Sequence, residues 1–180
     1  MEVAKAHSRV KLELDVSSFD ASKFASHIER CLREGINFSR ISDLGDDDLN
    51  RARLFELNRE CSADIPGRGV FYSRDEYFVE RIAVTTYDPR GVLIARQGDQ
   101  WLGMAAISDC REKGYVLSAM TGARKDFRGR GIAVAMKVLG VSFVRECGVD
   151  VVRTVHHPEN SSMIALNKRL GYVEGQWDYP

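Results

Sequence analysis

The chain has 180 residues, 44% apolar and 29% charged, with a formal net charge of zero. This is the profile of one globular domain, or one domain with an extension, and it excludes a disordered or fibrous chain. Zero net charge gives no global field to draw in nucleic acid or an acidic membrane, and no stretch reaches the ~18 apolar residues of a membrane span. The first five residues carry no apolar signal core, so a cytoplasmic setting is expected. Cys31, Cys61, Cys110 and Cys147 are then expected as reduced thiols, and with no CxxC and no histidine pair nearby they predict no metal site.

In chain order, Val10, Leu12, Leu14 and Val16 alternate with charged residues, the pattern of a half-buried strand. Residues 24–32 read as a helix that stops before Gly35, and residues 36–41 as a second short strand. Asp46, Asp47 and Asp48 open a helix running to about Cys61, where acids suit the helix dipole and the cap. Residues 64–69, with Pro66, Gly67 and Gly69, form a loop, and residues 74–83 look helical. Residues 91–96, 101–108 and 115–123 are three strands joined by turns at Gly98-Asp99 and at 111–114, an antiparallel meander.

The pattern then changes. Ile132, Met136, Leu139, Phe143 and Cys147 recur at helical spacing and predict one buried face, ended by Gly148. The β-branched run 149–155 reads as a buried strand, residues 161–170 as a helix stopped by Gly171, and 172–174 with 176–179 as a closing strand pair. Strand, helix and strand between Tyr115 and Val155 imply a parallel crossover. The expected class is α/β: a mixed sheet, antiparallel first and parallel at the crossover, with helices on both faces.

Between the third meander strand and the long helix lies Arg128-Gly129-Arg130-Gly131-Ile132-Ala133. A helix N-terminus carries free N–H groups and partial positive charge, and glycine lets a phosphate approach the backbone. Arg124, Lys125, Arg128 and Arg130 add a basic rim. The loop reads as a pyrophosphate cradle or, alternatively, as a solvated glycine turn. No GxxxxGK[ST] string is present, and Val134 stands where a dinucleotide fingerprint needs its third glycine. Asp150, the acid at the fitting distance, lies at the start of its strand rather than the end, which rejects the dinucleotide.

Arg128, Gly131 and Ala133 match the Q/R-x-x-G-x-G/A motif of the GNAT superfamily of N-acetyltransferases, and the string from Ala123 to Ala133 resembles that family's strand-loop-helix throughout. Arg153-Thr154, Asn160, Met163, Asn167 and Leu170-Gly171-Tyr172 resemble its second motif, about 30 residues on. The segment from His7 to Asp20 resembles the joint of tandem proteins built from two such units, where a strand of this type closes the first unit; an ordinary strand pairing within its own sheet is the alternative. Residues 1–35 are accordingly expected as an N-terminal strand-helix extension and 36–180 as the acetyltransferase domain.

The resemblance implies acetyl-CoA as co-substrate and an amine of a small molecule or peptide as acceptor. It implies that Thr121, Gly122 and Ala123 bind the pantetheine arm, that Arg128, Gly129, Arg130, Gly131, Ile132 and Ala133 hold the pyrophosphate, and that Asn160 contacts CoA. Asn160 equally suits a helix N-cap. Many family members carry a tyrosine general acid four residues before the glycine of the final motif; here that position is Asn167, which donates a hydrogen bond but no practical proton. His156, His157, Asp109 and Glu112 are the acid-base candidates, with His156 foremost for its place at the end of the strand leading to Asn160. Cys110 carries no local sign of an activated thiol. Asp64 or Glu60 would suit a cationic acceptor. The competing reading is a CoA-binding partner module that has lost catalysis, and a homodimer through the N-terminal strand is open.

Overall fold

The computed structural model describes residues 9–178. Seven strands form one sheet: β1 (Val10–Asp15), β2 (Asn37–Arg40), β3 (Val92–Gln97), β4 (Gln100–Cys110), β5 (Tyr115–Ala123), β6 (Val151–His156) and β7 (Val173–Glu174). The helices are α1 (Ala25–Arg33), α2 (Ile41–Leu44), α3 (Asp48–Ser62), α4 (Arg74–Tyr77), α5 (Ile132–Glu146) and α6 (Ser161–Arg169). Strand order is β2-β3-β4-β5-β6-β1-β7. Every neighbouring pair is antiparallel except β5–β6, so the expected parallel crossover through α5 is present. The meander has four strands rather than three, because β2 joins β3.

Helices cover both faces. On one, Leu54, Leu57 and Cys61 of α3 pack with Ile94 and Met104; on the other, Ile132, Ala135 and Met136 of α5 pack with Ala95 and Ala105. Consecutive strand residues thus serve opposite cores, as the two-residue period of a strand requires. A third cluster joins Leu12, Leu14 and Val152 to Val134, Val138, Val141 and Leu170. Truncating a fully buried leucine such as Leu12 to alanine would cost about 2–5 kcal/mol. Because α5 feeds two clusters, it is buried nearly all round, not along the single face its periodicity suggested, and Lys137 is buried with it.

Several local expectations are refined. Asp47 caps α3 by accepting from Asn50 N at 2.8 Å, while Asp46 pairs with Arg51 at 2.9 Å. The segment 74–83 is one α turn continued by a π turn at Phe78–Ile82. The closing strand pair is not formed: β7 pairs with β1, and residues 176–178 carry no strand. Lys11 Nζ donates instead to Trp177 O at 2.5 Å, so that carbonyl is satisfied outside any ladder. Tyr179 and the residues before Arg9, His7 and Ser8 included, lie outside the described residues. One edge of β1 is paired along its length by β6, and β7 covers the other at Leu12 and Glu13, so the strand pairs within its own sheet. No helix among the described residues is long and apolar enough to cross a membrane.

Candidate active site

The site begins where two parallel strands part. β5 and β6 pair at Val116↔Val152 and Leu117↔Arg153 and no further. β5 then stays on β4 as far as Ala123, and β6 stays on β1 as far as His156. Their facing edges are therefore unpaired from Ser118 and Thr154 onward. A register shift in the β4–β5 ladder skips Ala119, between the pairs Ile107↔Ser118 and Ala106↔Met120, just where β5 leaves β6. Such an irregularity bends a strand and re-aims its side chains. Thr154 Oγ1 donates to Ser118 O at 3.0 Å and occupies the first position where a ladder bond is missing.

A cleft of about 750 Å³ opens between these edges. Thr121, Gly122 and Ala123 line it on one side, and Thr154 and His156 on the other. At its end sit Arg128, Gly129, Gly131, Ile132 and Ala133. Gly129 has φ +76° and Gly131 φ +82°, the left-handed region where a side chain strains the backbone. The first helical bond of α5 runs from Ala135 N to Gly131 O at 2.9 Å, so the N–H groups of Ile132, Ala133 and Val134 have no helical acceptor. Free N–H groups and the partial positive charge of a helix end suit an anion. The buried Thr121 Oγ1 has no hydrogen-bond partner, a further polar group waiting on the cleft wall.

The basic rim is tighter than the sequence suggests. Arg128 Nη1 donates to Asp64 Oδ2 at 2.7 Å and its Nε to Ala123 O at 3.1 Å, tying the glycine loop to the 64–69 loop. Arg124 pairs with Glu60 at 3.2 Å. Arg130 does not line the cleft; its guanidinium lies 5.0 Å from the Phe127 ring centroid. Asn160 does line it, and stands at the N-cap of α6 without any side-chain capping bond.

At the inner end, Asn167 is fully buried and absent from the lining; it meets the site through His156, its Nδ2 2.7 Å from His156 Nε2. An amide nitrogen only donates, so Nε2 accepts and the ring is neutral. The reversed amide would instead accept from an Nε2–H with Oδ1, which has no partner as placed, and that bond alone suits either charge state. Burial, with Lys137 nearby, pushes the His156 pKa down to about 4. Lys137, one of the cleft-lining residues, is only 9% exposed and donates to Ser118 Oγ at 3.0 Å; burial lowers its pKa to about 7. Its Nζ lies 5.4 Å from the ring centroid of the buried Tyr172.

The other candidates fall elsewhere. Asp109 pairs with Arg111, and neither it nor Glu112 lines the cleft. His157 lines it but accepts from Glu159 N at 3.2 Å. Burial raises the Cys110 thiol pKa, the opposite of an activated nucleophile. Lys137 was missed because a lysine in an amphipathic helix reads as a snorkelling surface residue. It is, however, the single charged residue between Ile132 and Val144, and that isolation is the signal.

The sequence model of the Acetyltransferase (GNAT) family matches residues 51–172. A mycothiol acetyltransferase from Propionibacterium freudenreichii subsp. shermanii is 29% identical over 147 residues, covering 78% of this chain and 44% of that protein. The chain thus spans less than half the length of that relative. A GCN5-related N-acetyltransferase from Sphaerobacter thermophilus superposes with TM-score 0.65 at 19% identity, over 93% of this chain and 48% of the other. A tandem GNAT protein from the clavulanic acid biosynthesis pathway superposes with TM-score 0.65 at 17% identity, over 97% and 56%. These two likenesses are of fold.

Proposed function

The chain belongs to the Acetyltransferase (GNAT) family, and from that premise we propose that it moves an acetyl group from acetyl-CoA to the amine of a small molecule. The observation that carries this reading is the parting of β5 from β6, which opens a cleft of about 750 Å³ leading from the α5 N-terminus to Lys137 and His156. The residues present fit the co-substrate. Gly129 and Gly131 keep the loop backbone bare, the first-turn N–H groups of α5 suit a pyrophosphate, and the unpaired edge of β5 at residues 121–123 suits an extended amide-bearing arm. Acetyl-CoA would supply an activated thioester; the chain must hold it, hold the amine beside it and manage two protons.

Lys137 is the group suited to the proton given to sulfur. Its pKa near 7 makes it an effective acid beside a thiol of ordinary pKa ~8.5. In this proposal Nζ releases its proton as the carbon–sulfur bond breaks and its electron pair stays on sulfur. The proton lost by the amine nitrogen leaves past the neutral His156 to solvent, from which Lys137 is recharged. Lys137 thereby takes the task that Asn167, buried behind His156, does not perform. The mycothiol acetyltransferase relative supports a small-molecule acceptor.

The test is thiol release from acetyl-CoA with a panel of primary amines, run beside calorimetric titration of CoA. Binding with turnover of any amine supports the proposal. Micromolar binding with no turnover across the panel favours the partner module instead, and absence of CoA binding removes both readings.

A further inference from the structure

The cleft continues past the reacting end. A smaller cavity of about 70 Å³ lies against it, on the α3 and α4 face of the sheet. The two share four lining residues: Arg68, Arg81, Ala119 and Met120. Ala119 is the residue skipped by the β4–β5 register, so the passage between the two cavities lies at the point where β5 leaves β6. The acceptor would reach the site from this side, opposite the glycine loop.

The charges there have the opposite sign to those a cationic acceptor needs. Asp64 and Glu60, the acids nearest to hand in the sequence, are engaged by Arg128 and Arg124. Arg68 and Arg81 have no carboxylate partner among the described residues. Each is braced by an aromatic ring instead: the Arg68 guanidinium is 4.5 Å from the Phe71 centroid, and Arg81 is 5.4 Å from that of Tyr72 while donating to its hydroxyl at 3.0 Å. Arg68 Nε is buried without a hydrogen-bond partner, and so is Oδ1 of Asn58 in the wall of the small cavity. Burial, with Arg81 also opposing the charge, lowers the Arg68 pKa.

The loop that carries Arg68 is tied at its start and runs close to His157. Asp64 is held by Arg128, and at Gly67, φ +67°, a Cβ would stand 2.6 Å from Cδ2 of His157, one residue beyond His156. Arg68 is thereby kept in register with the reacting end. A half-buried guanidinium at Arg68 and an exposed one at Arg81, neither with a carboxylate partner among the described residues, suit a planar oxyanion; the fork geometry of arginine matches a carboxylate with two parallel bonds.

We propose, resting on the acetyltransferase reading above, that the acceptor is an amine carrying a carboxylate, and that Arg68 and Arg81 grip the carboxylate while the amine lies by His156. The substrate class is then amino acids or short peptides with a free carboxylate rather than polyamines or amino sugars.

The probes are acetylated products: N-acetylglycine, N-acetyl-β-alanine and N-acetyl-γ-aminobutyrate, each against its carboxamide and its phosphonate analogue. They are titrated by NMR into the protein with and without saturating CoA. At least one carboxylate is expected to bind about ten-fold more tightly than its amide, a difference of about 1.4 kcal/mol. Arg68→Gln and Arg81→Gln are expected to erase that advantage and leave CoA affinity within about two-fold. Equal binding of acid and amide, no binding of any probe, or an advantage that survives both substitutions would overturn the proposal. Tighter binding of the phosphonates would overturn the carboxylate assignment in favour of a phosphate-bearing acceptor. Loss of CoA affinity in the unmodified protein speaks against the glycine-loop reading alone, because the arginine effect is also read without CoA.

Discussion

Nε2 of His156 lies 2.7 Å from Nδ2 of Asn167, whose side chain has no exposure to the cleft at all. Asn167 therefore acts on the site only through the imidazole. Asn167→Leu is expected to lower kcat by about ten-fold with CoA affinity unchanged, since loss of one positioning hydrogen bond is worth about 0.5–1.5 kcal/mol. Asn167→Asp sets a carboxylate against the ring and should raise the His156 pKa from about 4 by 1–3 units. NMR titration of the ring protons checks the shift. The folded pKa lies below the ordinary histidine value, so the unfolded chain takes the proton first. Stability from this ring is complete above about pH 6.5 and is lost as pH falls towards 4. Asn167→Asp should flatten that slope.

Lys137 has the same sign at higher pH. Its folded pKa of about 7 lies below an unfolded value near 10.4, so its contribution falls as pH drops from about 10 to 7 and is level below that. Lys137→Met removes the buried amine and is expected to raise stability at pH 7 by about 1–4 kcal/mol, as replacement of buried charge by well-packed apolar groups commonly does. Turnover should fall by two to four orders of magnitude, the range of general-acid catalysis. The parent is expected to lose kcat above about pH 7, and in Lys137→Met that dependence should vanish. Urea melts and a pH–rate profile on the same protein sample read both effects.

For the glycine loop, Gly131→Glu is a poor probe. At φ +82° any Cβ is strained and would lie 3.2 Å from Nδ1 of His27, so a lost fold and a lost ligand would look alike. Ala133→Glu separates them. An acid in the first turn of α5 favours the helix by about 0.3–1 kcal/mol, while its charge repels a pyrophosphate on the same N–H groups. Calorimetry should show CoA affinity reduced at least a hundred-fold, with the melting temperature unchanged or raised.

Thr154→Val tests the parting of the strands. Thr154 is 2% exposed, and its hydroxyl is the donor to Ser118 O where the β5–β6 ladder stops. The isosteric swap leaves that carbonyl buried and unpaired, at a cost of about 1–3 kcal/mol. A denaturant midpoint shift without a change in slope would show this; an unchanged midpoint would mean that water replaces the hydroxyl.

The strands and the glycine loop were legible because each rests on a local rule. Residues 115–123 were read with the same bounds as β5, since Gly114 must turn the chain before it. Gly129 and Gly131 marked a backbone bare of side chains before a helix, and the structure adds that both are left-handed. What was not legible depends on partners distant in sequence. Arg130 and Arg128 are two residues apart, yet Arg130 lies against the Phe127 ring without lining the cleft and Arg128 reaches Asp64. No periodicity tells that Lys137 meets Ser118, or that Asn167 stands behind His156. That Arg68 and Arg81 meet aromatic rings and no carboxylate among the described residues is likewise revealed only by three-dimensional packing.

The place of β1 in the sheet has a consequence for how the molecule is made. Glu13 pairs with Arg153, 140 positions away, and Val10 with His156 itself. During synthesis the first strand leaves the ribosome long before the strand that flanks it, and until then it has no ladder on either side. Three of the seven strands, β6, β1 and β7, must therefore wait for translation to pass residue 156, a high-contact-order arrangement that slows folding and prolongs exposure of apolar Leu12 and Leu14. Formation of the reacting end and closure of the long-range β1–β6 pairing are one late event, so nascent chains should bind chaperones until it occurs.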